Sequence, residues 1–231
     1  MRSIHRQRAR VLLGLLFTLA TIHFVPNRAL VLVFLAAGWC TLFFPISVAE
    51  RIAAGLAAVF FLGQNYVCLR AGIFEFRFKD VLLMPYYEPA LWAFYFLSMK
   101  RFISGPTAEP VTVGKKTVVG LVATSASFSL FSFDSHALFI ATACSTTLLL
   151  VLFHEKPDVH YAVFALAMGF IMEMFGVSTG LWSYPTPDFA GIPLWFATMW
   201  ISVGLLGRRF LFPAAEWIAK RVGRSARIAT W

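Results

Sequence analysis

Eight apolar runs follow one another along the chain, and this succession limits the possible folds more than any other feature. They cover residues 11–25, 29–46, 52–69, 82–99, 117–133, 137–153, 159–182 and 193–207. A membrane-spanning helix needs about 20 mostly apolar residues, and about 17 are tolerated. Only 13% of the residues are charged, whereas soluble domains carry roughly 25%. The sequence therefore predicts an all-α, polytopic membrane bundle of eight transmembrane helices.

The first run follows the basic residues 2–10, an arrangement that also occurs in signal peptides. No small-x-small cleavage site comes after it, so we expect a retained helix.

The basic residues lie mainly on one side of the predicted bundle. If the N-terminus is cytoplasmic, 16 of the 20 Lys and Arg residues fall in cytoplasmic segments, and the exceptions are Arg28, Arg70, Arg77 and Lys79. Cytoplasmic loops of membrane proteins carry such an excess. We therefore expect both termini in the cytoplasm and a multi-pass protein of the inner (cytoplasmic) membrane. The net charge of +9 then reflects topology and contact with anionic lipid headgroups, and nucleic-acid binding has no support.

A shift of 108 residues aligns the second half of the chain with the first without a gap. The identical pairs are Gly72 with Gly180, Asp80 with Asp188, Pro85 with Pro193, Trp92 with Trp200, Arg101 with Arg209, and Phe102 with Phe210. This match predicts an internal, parallel 4+4 repeat. Residues 1–106 and 107–213 are the two four-helix units of one membrane domain, and residues 214–231 form a basic amphipathic tail.

Two polar residues fall at equivalent depths in the third helix of each unit, because Glu173 aligns with Asn65. An ionisable residue inside a membrane span is a candidate functional residue. Glu173 shares a helix face with Gly176 and Tyr184, so it is either a packing residue bonded to a neighbour or an acid in an aromatic-walled cavity. Glu88, which we place about two turns into the fourth helix, is the second candidate acid.

The stretch around Glu173 resembles the signature of the membrane hydratases that act on the ends of long acyclic carotenoids. The residues that carry the resemblance are Glu173, Gly176, Val177, Thr179, Gly180, Trp182, Tyr184, the run 191–195 and Trp200. The chain departs from that family in having Leu181-Trp182-Ser183 where the family has Pro-Phe-Gly. The tandem four-helix arrangement is also similar, more distantly, to that of the membrane lycopene cyclases.

This resemblance implies an enzyme that hydrates or cyclises an isoprenoid or carotenoid lipid inside the bilayer, starting from protonation of an alkene. Glu173 would be the proton donor, and Glu88 or Asn65 would handle the water or the departing proton. Aromatic side chains would form the walls that bind the substrate and stabilise a cation. The candidates are Trp92, Trp182, Tyr184, Trp195, Trp200 and Tyr87.

A different class of function also fits the pattern: a small transporter, or a subunit or assembly factor of a membrane complex. Its partners would be membrane lipids and another membrane protein. The three cysteines show neither disulfide nor metal spacing, and we expect no metal and no cofactor. The mixed-charge segment 70–80 is either a solvated cluster of ion pairs or a site for an anion or a lipid headgroup.

Overall fold

The computed structural model describes residues 2–104 and 112–228, and each of the eight predicted runs lies on a helix of its own. The helices are α1 (Arg2–Phe24), α2 (Arg28–Phe43), α3 (Val48–Arg70), α4 (Glu88–Ser104), α5 (Lys115–Phe131), α6 (Ser135–Leu152), α7 (Lys156–Ser178) and α8 (Trp195–Leu206). The prediction of an all-α, polytopic membrane bundle is confirmed. Three helices, α3, α6 and α7, are both long and apolar enough to cross a bilayer by themselves, with mean hydropathies of 1.7, 1.8 and 1.7.

The eighth helix does not stop where its apolar run ends. A π-helical turn, Gly207–Leu211, joins α8 directly to α9 (Phe212–Ile228). Pro213 lacks an N–H, and in an α-helix its ring would clash with the carbonyl group four residues earlier. The wider π turn accommodates this proline without ending the helix. α9 packs on α3, and Lys100 holds it by an ion pair of 3.1 Å to Glu216. Its location at the inner leaflet stays a prediction, and residues 229–231 of the predicted tail lie outside the described residues.

Two short strands connect the long loops at one end of the bundle, which we call the strand end. Strand β1 (Glu75–Phe76) pairs antiparallel with β2 (Trp182–Ser183), and Glu75 lies opposite Ser183. The amide of Arg77 extends this contact with a hydrogen bond of 2.9 Å to the carbonyl oxygen of Leu181. This pairing brings the segments after α3 and α7 together above the centre of the bundle.

Local geometry recurs at the 108-residue interval that aligns the two halves. The loops after α3 and α7 turn at glycines with positive φ, 75° at Gly72 and 66° at Gly180. Isolated bridges then join Val81 to Met84 and Phe189 to Ile192, again 108 residues apart. The duplication of the chain as such stays a prediction, but the recurrence supplies matched positions for comparing the halves.

Buried ion pairs hold the opposite end of the bundle. Asp158, at the start of α7, is fully buried and accepts hydrogen bonds from Arg208 and from Arg209, the latter at 2.7 and 2.5 Å. At the matched position in α3, Glu50 accepts bonds of 2.7 and 2.9 Å from Arg101. These arginines therefore bind carboxylates inside the bundle instead of extending toward lipid headgroups.

Glu155 precedes α7 and adds a second carboxylate to this ion cluster. It lies 3.0 Å from Arg208 and 2.9 Å from Arg209. The hydrogen bond from Arg209, followed by the one from Arg208, lowers the pKa of Glu155 below its ordinary value. The two arginines thus keep this exposed carboxylate ionised over a wider range of pH.

Candidate functional site

The three predicted polar residues come from three helices and lie close together near the strand end. Asn65 is on α3 and Glu173 is at the matched position of α7; both are 9% exposed. Glu88 is 7% exposed and is the first residue of α4. The sequence placed Glu88 two turns inside that helix, which is wrong because the chain from Pro85 to Tyr87 forms a turn and not helix.

Glu88 is the acceptor at the centre of the first-half network. Its Oε1 atom receives hydrogen bonds of 3.0 Å from Nδ2 of Asn65 and 3.0 Å from Nε1 of Trp92. Trp92 lies one helical turn after Glu88, so the same helix supplies the acid and one of its donors. The carboxylate thereby links α3 to α4.

Glu173 accepts two bonds in the second half, from residues that follow its own helix. Trp182 Nε1 and Tyr184 Oη both donate to Glu173 Oε2 at 2.7 Å. The chain reverses at Gly180 and carries both aromatic rings back over α7. A Cβ atom at Gly176 would lie 2.0 Å from the Trp182 ring, so this glycine makes room for the indole. The space beside Gly176 is thus occupied by an aromatic ring from the segment that follows its own helix.

Trp200 lacks the acceptor that its counterpart has. It stacks on Trp92, with ring centroids 5.3 Å apart and planes 17° apart, and it is only 2% exposed. Its Nε1 atom is buried and has no hydrogen-bond partner within residues 2–104 and 112–228. The reason is visible in the alignment of the halves, since Phe196 occupies the position that corresponds to Glu88. Buried N–H groups normally have a partner, so an unpaired indole N–H at this depth is unusual.

A small cavity of about 50 Å³ is lined by most of the residues of the predicted site. Eight of the nine residues predicted to carry the chemistry or to bind substrate line it: Asn65, Glu88, Glu173, Trp92, Trp182, Tyr184, Trp195 and Trp200. Tyr87 does not; it lines a different pocket at the strand end. Tyr95 lines the cavity and was missed, although it follows Glu88 by seven residues and so shares its helix face.

A larger cavity of about 470 Å³ adjoins the small one, and its walls are almost entirely apolar. It lies between α3, α5, α8 and α9. The two cavities share wall residues, among them Asn65, Trp92 and Trp195. On α3 the large cavity extends from Cys68 down to Leu56, which corresponds to about 18 Å at the helical rise. The arrangement is a long apolar chamber with a polar group of side chains at one end.

Neither cavity supplies a metal site. Across residues 2–104 and 112–228, no group of three His, Cys, Asp or Glu side chains is placed to hold a metal ion.

Comparison with solved structures identifies proteins that share this fold. Two crystal structures of MvINS, a mycobacterial Insig homologue from Mycobacterium vanbaalenii, are similar to the chain. One shows a cross-linked trimer and has 17% identity with a TM-score of 0.62; the other has 16% identity and a TM-score of 0.63. Each match covers 77% of this chain and 98% of the other. At this level of identity the likeness establishes a shared fold of polytopic membrane protein.

No protein-family model matches the chain, and no curated protein matches it. The predicted membership among carotenoid hydratases or lycopene cyclases is wrong, because the similar structures are those of an Insig homologue. The residues behind that resemblance have local structural roles that explain their spacing: Gly176 seats Trp182, Gly180 forms the turn, and Tyr184 bonds to Glu173. The chain is an integral membrane protein of this helical fold.

Proposed function

We propose that this protein is a non-catalytic, lipid-binding component of the membrane that holds one amphipathic lipid in the large cavity. The observation that carries the proposal is the juxtaposition of a 470 Å³ apolar chamber with the polar small cavity. Sites for small hydrophobic ligands commonly have volumes of about 300–1,000 Å³, with a few polar groups that fix orientation. The inner membrane stays its predicted location.

The apolar part of the ligand would lie along α3. Val59 and Phe60 both line the large cavity and are 72% and 41% exposed on the outside of the bundle. Because α3 is long and apolar enough to cross the bilayer, its outer surface faces acyl chains. A lipid would therefore reach the cavity sideways from the bilayer, without passing through water.

The polar end of the ligand would lie among Glu88, Glu173 and Trp200. Each carboxylate uses one oxygen for its two hydrogen bonds, and its other oxygen has no hydrogen-bond partner among the described residues. Trp200 Nε1 is a donor with no acceptor in the described part of the chain. A hydroxyl group both accepts and donates, so it would satisfy the indole and one carboxylate together. Asn65, Trp92 and Trp195, which line both cavities, would surround the junction of head and tail.

Binding is favoured over catalysis by what surrounds the two acids. A proton donor must be reprotonated by another acidic group or by water, and neither cavity is lined by a described His, Lys or Arg residue. The four donors that bond to Glu88 and Glu173 hold both carboxylates as fixed acceptors. A binding role also agrees with the sequence-based alternative of a subunit in a membrane complex.

Filling the large cavity tests the proposal. We expect Ser125→Trp, which places an indole in the chamber from α5, to reduce the lipid retained by the purified protein at least tenfold. Val122→Trp is the matched control, because Val122 lies one turn away on the same helix, is 61% exposed and does not line the cavity. Native mass spectrometry of both variants measures the bound lipid.

Equal lipid retention in the two variants would contradict the proposal. Conversion of the retained lipid by the wild-type protein, abolished by Glu173→Gln, would show that the protein is an enzyme after all.

The polar end has its own matched pair of variants. We expect Trp200→Phe to weaken binding of a hydroxyl-bearing lipid by about two- to tenfold, since one hydrogen bond contributes about 0.5–1.5 kcal/mol. Trp92→Phe removes a similar ring volume, but it removes a donor already bonded to Glu88, so it should act mainly on stability. Titration of both variants with lipid alcohols, and with the corresponding methyl ethers, measures the difference. Identical losses in the two variants would exclude Trp200 Nε1 as a ligand contact.

A further inference from the structure

A third pocket, of about 190 Å³, opens at the strand end and is separate from the two cavities above. It lies between the end of α1, the start of α2, the segment that follows β1, and the end of α7. Its polar side chains are those of Arg28, Arg77, Tyr87, Thr179 and His23, and no described Asp or Glu side chain lines it. Nothing in the proposed lipid-binding role uses this pocket.

Arg28 is held so that its outer nitrogens are available. Its Nε atom donates to both carboxylate oxygens of Asp80, at 2.9 and 2.7 Å. Its guanidinium carbon lies 4.5 Å from the centre of the Phe78 ring. The terminal Nη atoms make no hydrogen bond within residues 2–104 and 112–228. Asp80 thus fixes the side chain through Nε and leaves the fork that binds anions free.

Arg77 brings a second guanidinium group to the same ring. Its guanidinium carbon lies 5.4 Å from the centre of Phe78, and the side chain is exposed. In the described part of the chain it contacts no carboxylate. Lys79, by contrast, is paired with Glu75 at 3.0 Å and does not line the pocket. The pocket therefore holds two guanidinium groups against the single carboxylate of Asp80.

Tyr87 provides an observation, independent of the two arginines, that points to a ligand in this pocket. Its side chain is only 3% exposed and lines the pocket, yet its hydroxyl has no hydrogen-bond partner among the described residues. The hydroxyl oxygen keeps some accessible surface, so a ligand in the pocket can reach it. An anion in the pocket would accept this hydroxyl together with the guanidinium N–H groups.

The other half of the chain shows that the arginines are not needed for the loop itself. Asp188, the counterpart of Asp80, accepts from the amide of Leu194 at 2.8 Å, just as Asp80 accepts from the amide of Tyr86 at 3.4 Å. The positions that correspond to Arg28 and Arg77 hold His136 and Pro185. The same loop geometry forms there without an arginine or a lysine, so the two arginines are an addition to the fold.

We propose that this pocket binds a phosphate group, carried by a phospholipid headgroup or by a free phosphate ester. Arginine forks match phosphate oxygens in geometry and charge, and the Tyr87 hydroxyl supplies a further donor. The pocket lies where α1 and α7 end and α2 begins, which is the level at which a spanning helix meets the headgroup region. This pocket is distinct from the lipid cavity, so a negative result for either proposal leaves the other unaffected.

The test compares the whole protein with three variants. All four are purified in micelles of an uncharged detergent that carries no phosphate group. Arg77→Ala and Tyr87→Phe each remove one donor from the pocket, and Lys79→Ala removes the same charge from the same loop outside the pocket. The probes are a short-chain phosphatidylglycerol and inorganic phosphate, titrated separately by calorimetry. We expect Arg77→Ala to weaken phosphatidylglycerol binding at least tenfold, Tyr87→Phe to weaken it severalfold, and Lys79→Ala to leave it unchanged within a factor of two.

The two probes distinguish the sources of the phosphate group. Tighter binding of phosphatidylglycerol identifies a lipid headgroup, and equal or tighter binding of inorganic phosphate identifies a soluble ligand. Each result supports the site if Arg77→Ala weakens that binding at least tenfold. Equal losses in Arg77→Ala and Lys79→Ala would show attraction to diffuse charge and overturn the proposal. Absence of binding by the wild-type protein would overturn it as well.

Discussion

Replacing Asp158 by Asn is expected to lower the free energy of unfolding by about 3–5 kcal/mol, the usual cost of removing one partner of a buried ion pair. Asp158 is fully buried and is the common acceptor for Arg208 and Arg209. Without its charge, two guanidinium groups of low exposure, 8% and 14%, lose their shared buried carboxylate. Thermal unfolding in detergent, followed by circular dichroism, measures the loss.

Two further variants show whether burial is the cause. Glu75→Gln breaks an ion pair whose side chains are 49% and 59% exposed, so it should cost no more than about 1 kcal/mol. Glu50→Gln breaks the matched pair in the first half, but Arg101 also donates to the carbonyl oxygens of Phe43 and Pro45, which should soften the loss. If Asp158→Asn cost no more than Glu75→Gln, the ion cluster would have no special part in holding α7 to the α8–α9 helix.

Gly176→Ala is the second variant with a large expected effect. The new Cβ atom would lie 2.0 Å from the ring of Trp182, which is buried at 7% exposure and cannot swing freely aside. The indole must shift, and its bond to Glu173 must break. Overpacking of this kind costs about 1–3 kcal/mol, and the tryptophan fluorescence and near-ultraviolet dichroism should change with it.

The matched control for this variant is another helical glycine. Gly63 on α3 has nothing within 4 Å of its built Cβ atom, so Gly63→Ala should be neutral or should stabilise the helix by up to about 1 kcal/mol. Equal effects of the two substitutions would mean that the indole does not depend on the space that Gly176 provides.

The sequence predicted the elements well, because a bilayer accepts few kinds of backbone. Eight apolar runs gave eight helices, with α7 and α3 each starting three or four residues before the predicted span. The polar residues were found for the same reason: Glu173 and Asn65 are conspicuous inside apolar runs, and both line the small cavity.

The features that the sequence did not predict are positioned by turns and helix junctions, where helix periodicity gives no information. Tyr87 precedes α4 and lies in a turn, so helix-face reasoning did not apply, and it lines the strand-end pocket. The continuation of α8 into α9 was missed because Pro213 normally ends a helix. The carotenoid resemblance failed because Trp182 and Tyr184 are placed by the turn at Gly180, a local feature that unrelated proteins can share.

The most direct test of the central claim is a cryo-electron microscopy or crystal structure of the protein purified from a native membrane into nanodiscs. The account predicts density for one elongated molecule in the cavity between α3, α5, α8 and α9, with its polar end within hydrogen-bond distance of Trp200 Nε1. A chamber collapsed by its own side chains, or filled only by disordered acyl chains with Trp200 Nε1 still unpaired, would contradict it.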